Sequence, residues 1–331
     1  MKTVILGTGS WGTALCQVLT DNGQDAVMWG IDPNEVDDIN LNHRNSKYFD
    51  APVSEKVRAF NDIGIVSDAD VILLGVPTKA LEPVITNAAG YLTKKVIVIN
   101  VAKGFHPDTH ERLSEVIRRV MPADKLEAVV SLIGPSHAEE VIVRMLTAVN
   151  AVSVNEEAAR TIQHMFSNDY FRVYRNTDEI GAEAGVAIKN IMAIASGILT
   201  GVGEGDNAKA ALMTRGLAEM TRFGIALGGK KETYLGLDGV GDLIVTCTSR
   251  HSRNFQAGYE IGLENGAEDF LKRNTKTVEG IFACKAVHDE AHARGISMPI
   301  TDEVYAVLFE NKKPTDAIHD LMNRELKAEN L

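Results

Sequence analysis

Cysteine is scarce in this chain of 331 residues: Cys16, Cys247 and Cys284 are odd in number and widely spaced. That spacing excludes a disulfide framework, and the lack of any C-x-x-C pattern argues against the common zinc modules. A reducing cytoplasm is the expected setting. Positive charge is also short, since 34 Lys and Arg against 45 Asp and Glu leave a net charge of −11. No general basic field exists to neutralise a phosphate backbone, which argues against nucleic acid as the main partner. A small anionic ligand in a locally basic pocket stays open. Long hydrophobic runs are missing as well. The apolar run Val4-Ile5-Leu6 ends at Gly7, too soon for a signal-peptide core, so no export is expected. The longest apolar stretch, 184–202, contains Lys189 and Asn190, costly in lipid, and reads as a buried helix rather than a membrane span. Pro/Ser-rich linkers, internal repeats and low-complexity tracts are absent. What remains is 45% hydrophobic and 24% charged, the composition of a globular protein long enough for about two domains.

The first half alternates short β-rich runs with helical patterns. Lys2–Leu6, Ala26–Trp29, Asp70–Val76, Lys95–Asn100, Ala128–Ile133, Ala148–Val154 and Tyr170–Tyr174 read as strands. Several are apolar on both faces, as strands of a parallel sheet covered by helices on both sides are. Trp11–Asn22 and His110–Met121 have helical length and period between them. From about Asn176 the β signal stops. Thr177–Thr200, Asn207–Leu227, Asn254–Glu264, Glu279–Arg294, Ile300–Phe309 and Pro314–Leu326 read as helices. The expected fold class is therefore α/β: an N-terminal Rossmann-type doubly wound sheet over 1–178, followed by an all-helical C-terminal domain over 179–331.

Gly7-Thr8-Gly9-Ser10-Trp11-Gly12 follows the first strand directly and opens a helix. In that context the first glycine permits a tight turn, the second lets backbone approach a pyrophosphate, and the third lets helix and strand pack closely. Amides at the helix start then face the phosphates. Asp32, 20 residues after Gly12, stands where an acidic residue holds the adenosine ribose hydroxyls; as an N-cap for a helix starting at Pro33 it fits equally well. Its neighbour Ile31 offers no charge to a 2′-phosphate, which favours NAD at this position. Arg44 or Lys47 folding back would instead supply one, so NAD and NADP both stay open.

One lysine interrupts the apolar stretch. Gly185, Lys189, Ala193 and Gly197 are each four apart, a stripe of small residues that something must approach closely, a ligand being one candidate. A buried ammonium needs an anionic partner, a lowered pKa or a catalytic use; the alternative is a side chain snorkelling to the surface. Asp242, inside Gly236-Leu237-Asp238-Gly239-Val240-Gly241-Asp242, is a carboxylate in a tight glycine loop, able to charge-balance that lysine or to cap a following helix. Ser249-Arg250-His251-Ser252-Arg253-Asn254-Phe255 precedes a helical pattern; serine, arginine and free amides at a helix start make a phosphate site, while a solvated basic loop is the alternative.

Taken in order, these segments resemble the bacterial NAD(P)-dependent glycerol-3-phosphate dehydrogenase family over roughly residues 2–325. Gly7–Gly12 with Trp11 is similar to its cofactor turn, Asn100-Val101-Ala102-Lys103-Gly104-Phe105 to its strand-end lysine motif, and Gly134-Pro135-Ser136-His137-Ala138-Glu139-Glu140-Val141 to its G-P-S-x-A-x-E-V segment. Lys189-Asn190 resembles its catalytic pair, Gly239–Cys247 its G-x-G-D-L-x-x-T-C stretch, Ser252-Arg253-Asn254 its S-R-N, and Thr277-Val278-Glu279-Gly280 completes the series. The resemblance implies a homodimeric cytoplasmic enzyme that interconverts dihydroxyacetone phosphate and sn-glycerol 3-phosphate for phospholipid synthesis. It further implies that Ser10, Trp11, Lys103, Ala138, Arg253 and Glu279 meet the cofactor, beside Gly7, Gly9, Gly12 and Asp32 of the glycine-rich fingerprint. Lys103, Gly134, Ser136, Lys189, Asp242, Ser252, Arg253 and Asn254 would surround the substrate, with Lys189 as general acid and base. At Ile31 the chain departs from the arginine or histidine many members carry, so weaker discrimination in favour of NADPH is expected.

No metal is required by such chemistry and none is expected. His106 and His110 are four apart, but Pro107 between them favours a loop. Two rival readings remain. A 3-hydroxyacid or sugar-acid dehydrogenase would also use a lysine-asparagine pair, though it would not need Ser252-Arg253-Asn254. A nucleotide-binding redox sensor without turnover would need neither a buried lysine nor its aspartate.

Overall fold

The structure, a computed structural model, describes residues 1–326, 328 and 329. The chain divides into two compact units, Met1–Glu179 and Ile180–Leu331.

The first unit is built on eight strands: β1 (Lys2–Leu6), β2 (Asp25–Trp29), β3 (Ala59–Phe60), β4 (Val71–Leu74), β5 (Val96–Asn100), β6 (Leu126–Ile133), β7 (Thr147–Val152) and β8 (Phe171–Asn176). Their order in the sheet is β3-β2-β1-β4-β5-β6-β7-β8. Helices α1 (Ser10–Asp21), α2 (Pro33–Asp37), α3 (Thr78–Ala89), α4 (Leu113–Val120), α5 (Ala138–Val141) and α6 (Glu156–Phe166) lie between the strands. The continuous apolar runs now have a cause. Ile5, Val71, Leu73, Ile97 and Ile99 enter one core with residues of α1 and α6, while Val4, Leu6, Ile72, Leu74, Val96 and Val98 enter a second core with residues of α3 and α4. Strands β1, β4 and β5 are buried on both faces because helices cover both.

Two features depart from the sequence reading. The two-residue strand β3 was not expected; it is too short to carry a period. The sheet is also not uniformly parallel, since β6 and β7 pair antiparallel. The connection between them carries only the four-residue α5, which packs against α1, so the chain turns back from the end it left. Elsewhere the pairing is parallel, and the order reverses between β1 and β4. At such a switch point the loops leaving adjacent strands diverge to opposite faces and open a crevice at the carboxyl ends.

The second unit is helical throughout: α7 (Glu179–Val202, which starts at the boundary), α8 (Asp206–Ala226), α9 (Lys231–Tyr234), α10 (Asp242–Thr248), α11 (Arg253–Glu264), α12 (Glu268–Arg273), α13 (Glu279–Arg294), α14 (Pro299–Phe309) and α15 (Pro314–Met322). Among the described residues α7 alone is long and apolar enough to cross a membrane, but 78% of its apolar window is buried inside the protein. At Gly185 and Gly197 its small-residue stripe meets protein backbone. A Cβ added at Gly197 would lie 2.1 Å from the Phe255 carbonyl oxygen, and one at Gly185 would lie 2.9 Å from that of Asp238. Helix α11 and the loop before α10 therefore occupy the space the stripe leaves.

Candidate active site

In the first unit the glycine-rich turn sits at the switch point. Gly7 has φ +121°, and its amide donates to the Trp29 carbonyl at 2.8 Å, which closes the turn onto β2. A Cβ at Gly7 would lie 2.6 Å from the Gly75 carbonyl oxygen, so a side chain there is excluded by the loop leaving β4. Gly9 is different: an added Cβ would find its nearest protein atom at 3.6 Å. Among the described residues no protein atom comes closer than 3.6 Å to that position, which leaves room for a bound group. Gly9 also precedes α1 without capping it by a side chain, so the first-turn amides receive no side-chain acceptor from the N-cap. This cradle fits the pyrophosphate of a dinucleotide. Trp11 is half-buried and packs on the core.

At the neighbouring end of β2, Asp32 is the N-cap of α2 and accepts from the Asn34 amide at 3.0 Å. One oxygen of that carboxylate is thus engaged by the helix, and both readings of Asp32 remain compatible. Ile31 is 82% exposed. The two basic residues considered for a 2′-phosphate are already committed: the Arg44 guanidinium donates to the Asp50 carbonyl at 2.8 Å, and Lys47 pairs with Glu35. Glu35 was missed in the sequence, although the Thr8 hydroxyl of the glycine turn donates to it. Its signal would have been a second carboxylate three residues beyond Asp32 on the short helix.

Lys103 lies beyond the end of β5, half-buried, and its carbonyl accepts from the Thr78 hydroxyl at 3.3 Å. Gly134 and Ser136 follow β6, and the Ser136 hydroxyl donates to the Gly134 carbonyl at 3.0 Å. Ala138 begins α5 and is buried.

The second unit brings Lys189 and Asp242 together. Lys189, on α7, is 1% exposed, Asp242, at the first position of α10, is 2% exposed, and the ammonium contacts the carboxylate directly. Asp242 does not cap its helix: that position is Gly241, and the carboxylate points to the lysine instead. Snorkelling of Lys189 is excluded by its burial. The Cys247 thiol lies in the field of this pair, and burial pushes its pKa up to about 12, so it stays protonated.

A second chain of contacts runs beside the pair. The Gly280 amide donates to Asn254 Oδ1 at 2.9 Å, and Asn254 Nδ2 donates to Asn190 Oδ1 at 3.0 Å. These two bonds fix the orientation of the Asn190 amide. Its Nδ2 is buried with no hydrogen-bond partner among the described residues. A buried orphan donor costs about 1–3 kcal/mol, a cost that an incoming oxygen acceptor would relieve. Ser252 is the N-cap of α11, its hydroxyl accepting from the Phe255 amide at 3.2 Å. Arg253 follows it at the helix start with a half-exposed side chain, and its guanidinium lies 4.0 Å from Glu279 at the start of α13. Cation and helix start together offer the donors an anion would need.

Residues 2–159 match the family described as the NAD-dependent glycerol-3-phosphate dehydrogenase N-terminus, and residues 178–319 match the corresponding C-terminus. The chain is 47% identical over 331 residues to a Lactococcus lactis protein named glycerol-3-phosphate dehydrogenase (NAD(P)+), an alignment covering 99% of this chain and 97% of that one. It is 46% identical to the protein of that name from Streptococcus sanguinis, with the same coverage. Among solved structures it is similar to glycerol-3-phosphate dehydrogenase from Coxiella burnetii, with a TM-score of 0.90, 35% identity, and coverage of 98% of this chain and 99% of that one. D-mandelate dehydrogenase with NADH, at 15% identity and a TM-score of 0.62 over 94% of this chain and 98% of that one, shares the fold alone.

Proposed function

Since the chain belongs to the NAD-dependent glycerol-3-phosphate dehydrogenase family, we propose that Lys189 is the proton donor and acceptor as it interconverts dihydroxyacetone phosphate and sn-glycerol 3-phosphate with NAD(P)H. The buried Lys189–Asp242 pair carries this reading. When bound, the nicotinamide cofactor supplies the hydride in the reducing direction and takes it back in the other. As the substrate ketone is reduced, its oxygen gathers negative charge. The Lys189 ammonium stabilises that charge and then gives its proton to the oxygen; in the oxidising direction neutral Lys189 takes the proton back. Asp242 holds the ammonium in place and balances its charge out of water. Asn190, oriented through Asn254, offers its free Nδ2–H to a substrate oxygen.

The remaining residues bind. Arg253, the amides at the start of α11, Ser252 and Asn254 take the substrate phosphate, and Lys103, Gly134 and Ser136 contribute to the same substrate. Gly7, Gly9, Ser10, Trp11 and Gly12 cradle the cofactor pyrophosphate, Asp32 meets the ribose, and Lys103, Ala138, Arg253 and Glu279 complete the cofactor contacts. Most of the dinucleotide contacts thus fall in residues 1–178, the dinucleotide-binding domain, and the acid/base chemistry in 179–331, the substrate-binding and catalytic domain. The enzyme works as a cytoplasmic homodimer that supplies glycerol 3-phosphate to phospholipid synthesis. Exposed Ile31, with Arg44 and Lys47 engaged elsewhere, supports use of NADH alongside NADPH.

Consumption of reduced nicotinamide with dihydroxyacetone phosphate tests these roles. NADH and NADPH, run side by side, should both be consumed at rates within about tenfold, the span of one lost charge-assisted contact; a large NADPH preference overturns the Ile31 argument. Lys189→Ala should lower turnover by about 10²–10⁴-fold and leave the dissociation constant for cofactor unchanged. Equal loss of both would make Lys189 structural.

A further inference from the structure

Outside the catalytic machinery, one group of three side chains among the described residues has the arrangement of a metal chelate: His288, His292 and Asp302. His106 and His110 lie in a loop, with His106 Nδ1 accepting from the Thr109 amide at 3.2 Å. His288 and His292 stand one turn apart on α13 and so share a face. Asp302, in the first turn of α14, reaches the same place from the helix packed alongside. Its Oδ1 lies 3.3 Å from His292 Nε2 and 4.0 Å from His288 Nε2, and the donor atoms of all three residues lie within 4.8 Å of one another. A tetrahedral ion with ligands near 2.1 Å spaces its donors about 3.4 Å apart, which small side-chain rotations reach from this arrangement.

The neighbours of His288 favour a ligand role. Its ring stacks on Tyr305 at 3.7 Å between centroids and 6° between planes. Its Nδ1 faces Asp289 Oδ1 at 3.4 Å; in the tautomer that donates to this carboxylate, the Nε2 lone pair is left for an ion beside Asp302. A carboxylate behind a histidine is the outer contact that orients metal-ligating imidazoles. His292 is well exposed, so an ion enters from solvent and water completes its coordination. Two imidazoles and one carboxylate suit borderline divalent ions, zinc, nickel and copper, over calcium or magnesium. The thiols that would compete for such ions, Cys16, Cys247 and Cys284, are all buried.

We propose that His288, His292 and Asp302 form a surface site for a divalent transition-metal ion of the zinc class, tying α13 to α14. Titration of tag-free, chelator-treated protein with ZnCl2 in a calorimeter, paired with thermal melts, tests it. One Zn²⁺ should bind per chain and raise the melting temperature. His292→Ala, at an exposed position that tolerates truncation, and Asp302→Asn should each weaken Zn²⁺ binding by at least about tenfold. His106→Ala should bind as the parent does. Absence of stoichiometric binding to the parent protein overturns the site, as does undiminished Zn²⁺ affinity in His292→Ala.

Discussion

Replacing Lys189 by methionine removes the charge while keeping most of the side-chain volume, and it separates what the ion pair does for stability from what it does for turnover. In the parent protein the partners are 1% and 2% exposed and in direct contact. Lys189→Met strands the Asp242 carboxylate in the interior, and removing one member of a buried pair costs about 3–5 kcal/mol. At 1.36 kcal/mol per decade that is about a 10²–10⁴-fold loss in the ratio of folded to unfolded protein. Asp242→Asn strands the ammonium and should cost a similar amount. The double variant Lys189→Met/Asp242→Asn leaves no charge behind, so its stability should recover by several kcal/mol relative to the sum of the single losses. Turnover should not recover, because the proton donor is gone: both Lys189→Met and the double variant should stay about 10²–10⁴-fold below the parent. Urea midpoints read by circular dichroism supply the stabilities, and oxidation of NADH with dihydroxyacetone phosphate supplies the rates. Strictly additive stability losses would refute the pair as an energetic unit. Near-parental turnover in the double variant would refute Lys189 as the acid.

Arg253→Ala should raise the Michaelis constant for dihydroxyacetone phosphate by about tenfold or more, consistent with loss of a charge-assisted phosphate contact, while the half-exposed position leaves the urea midpoint unchanged; an unchanged Michaelis constant would remove Arg253 from the phosphate site. Gly197→Ala drives a methyl to within 2.1 Å of the Phe255 carbonyl and forces α7 and α11 apart, so it should lower stability by about 1–3 kcal/mol or more; a parental melting temperature would contradict the packing. Glu219 is buried and accepts from the amides of Ile300 and Thr301 and from the Thr301 hydroxyl. Burial, partly offset by those bonds, pushes its pKa from 4.5 up to about 7. Folding therefore takes up a proton between those values, and stability falls by about 3 kcal/mol as pH rises from 4.5 to about 7, then levels. Glu219→Gln should flatten that part of the stability profile, and an unaltered slope would show that Glu219 does not titrate there.

Much of this protein is written locally. The strands are legible because a sheet covered on both faces demands unbroken apolar runs, and the helices because burying one stripe imposes a 3.6-residue period. The glycine turn is legible for the same reason: strand, G-x-G-x-x-G and helix are contiguous, so Gly7 and Gly9 declare the cradle without reference to anything distant. Where such signals end, sequence reading fails. Residues Ala59–Phe60 form a strand only because β2 offers them an open edge, and β7 runs antiparallel because of the path of one short connection. The stripe of Gly185, Ala193 and Gly197 announced a close approach but not by what; packing put the Phe255 carbonyl of α11 against Gly197 and the Asp238 carbonyl against Gly185.

The functional pairings belong to tertiary structure altogether. Lys189 alone allowed a surface reading and Asp242 alone allowed a helix cap; burial and direct contact removed both alternatives. Asn254 finds Asn190 across 64 residues, and His288 and His292 gain Asp302 from the next helix. Residue type and local period fix what each segment is, because those depend on neighbours a few positions away. Which charge meets which depends on closing long loops and desolvating the groups inside, free-energy terms that exist only once the chain has folded.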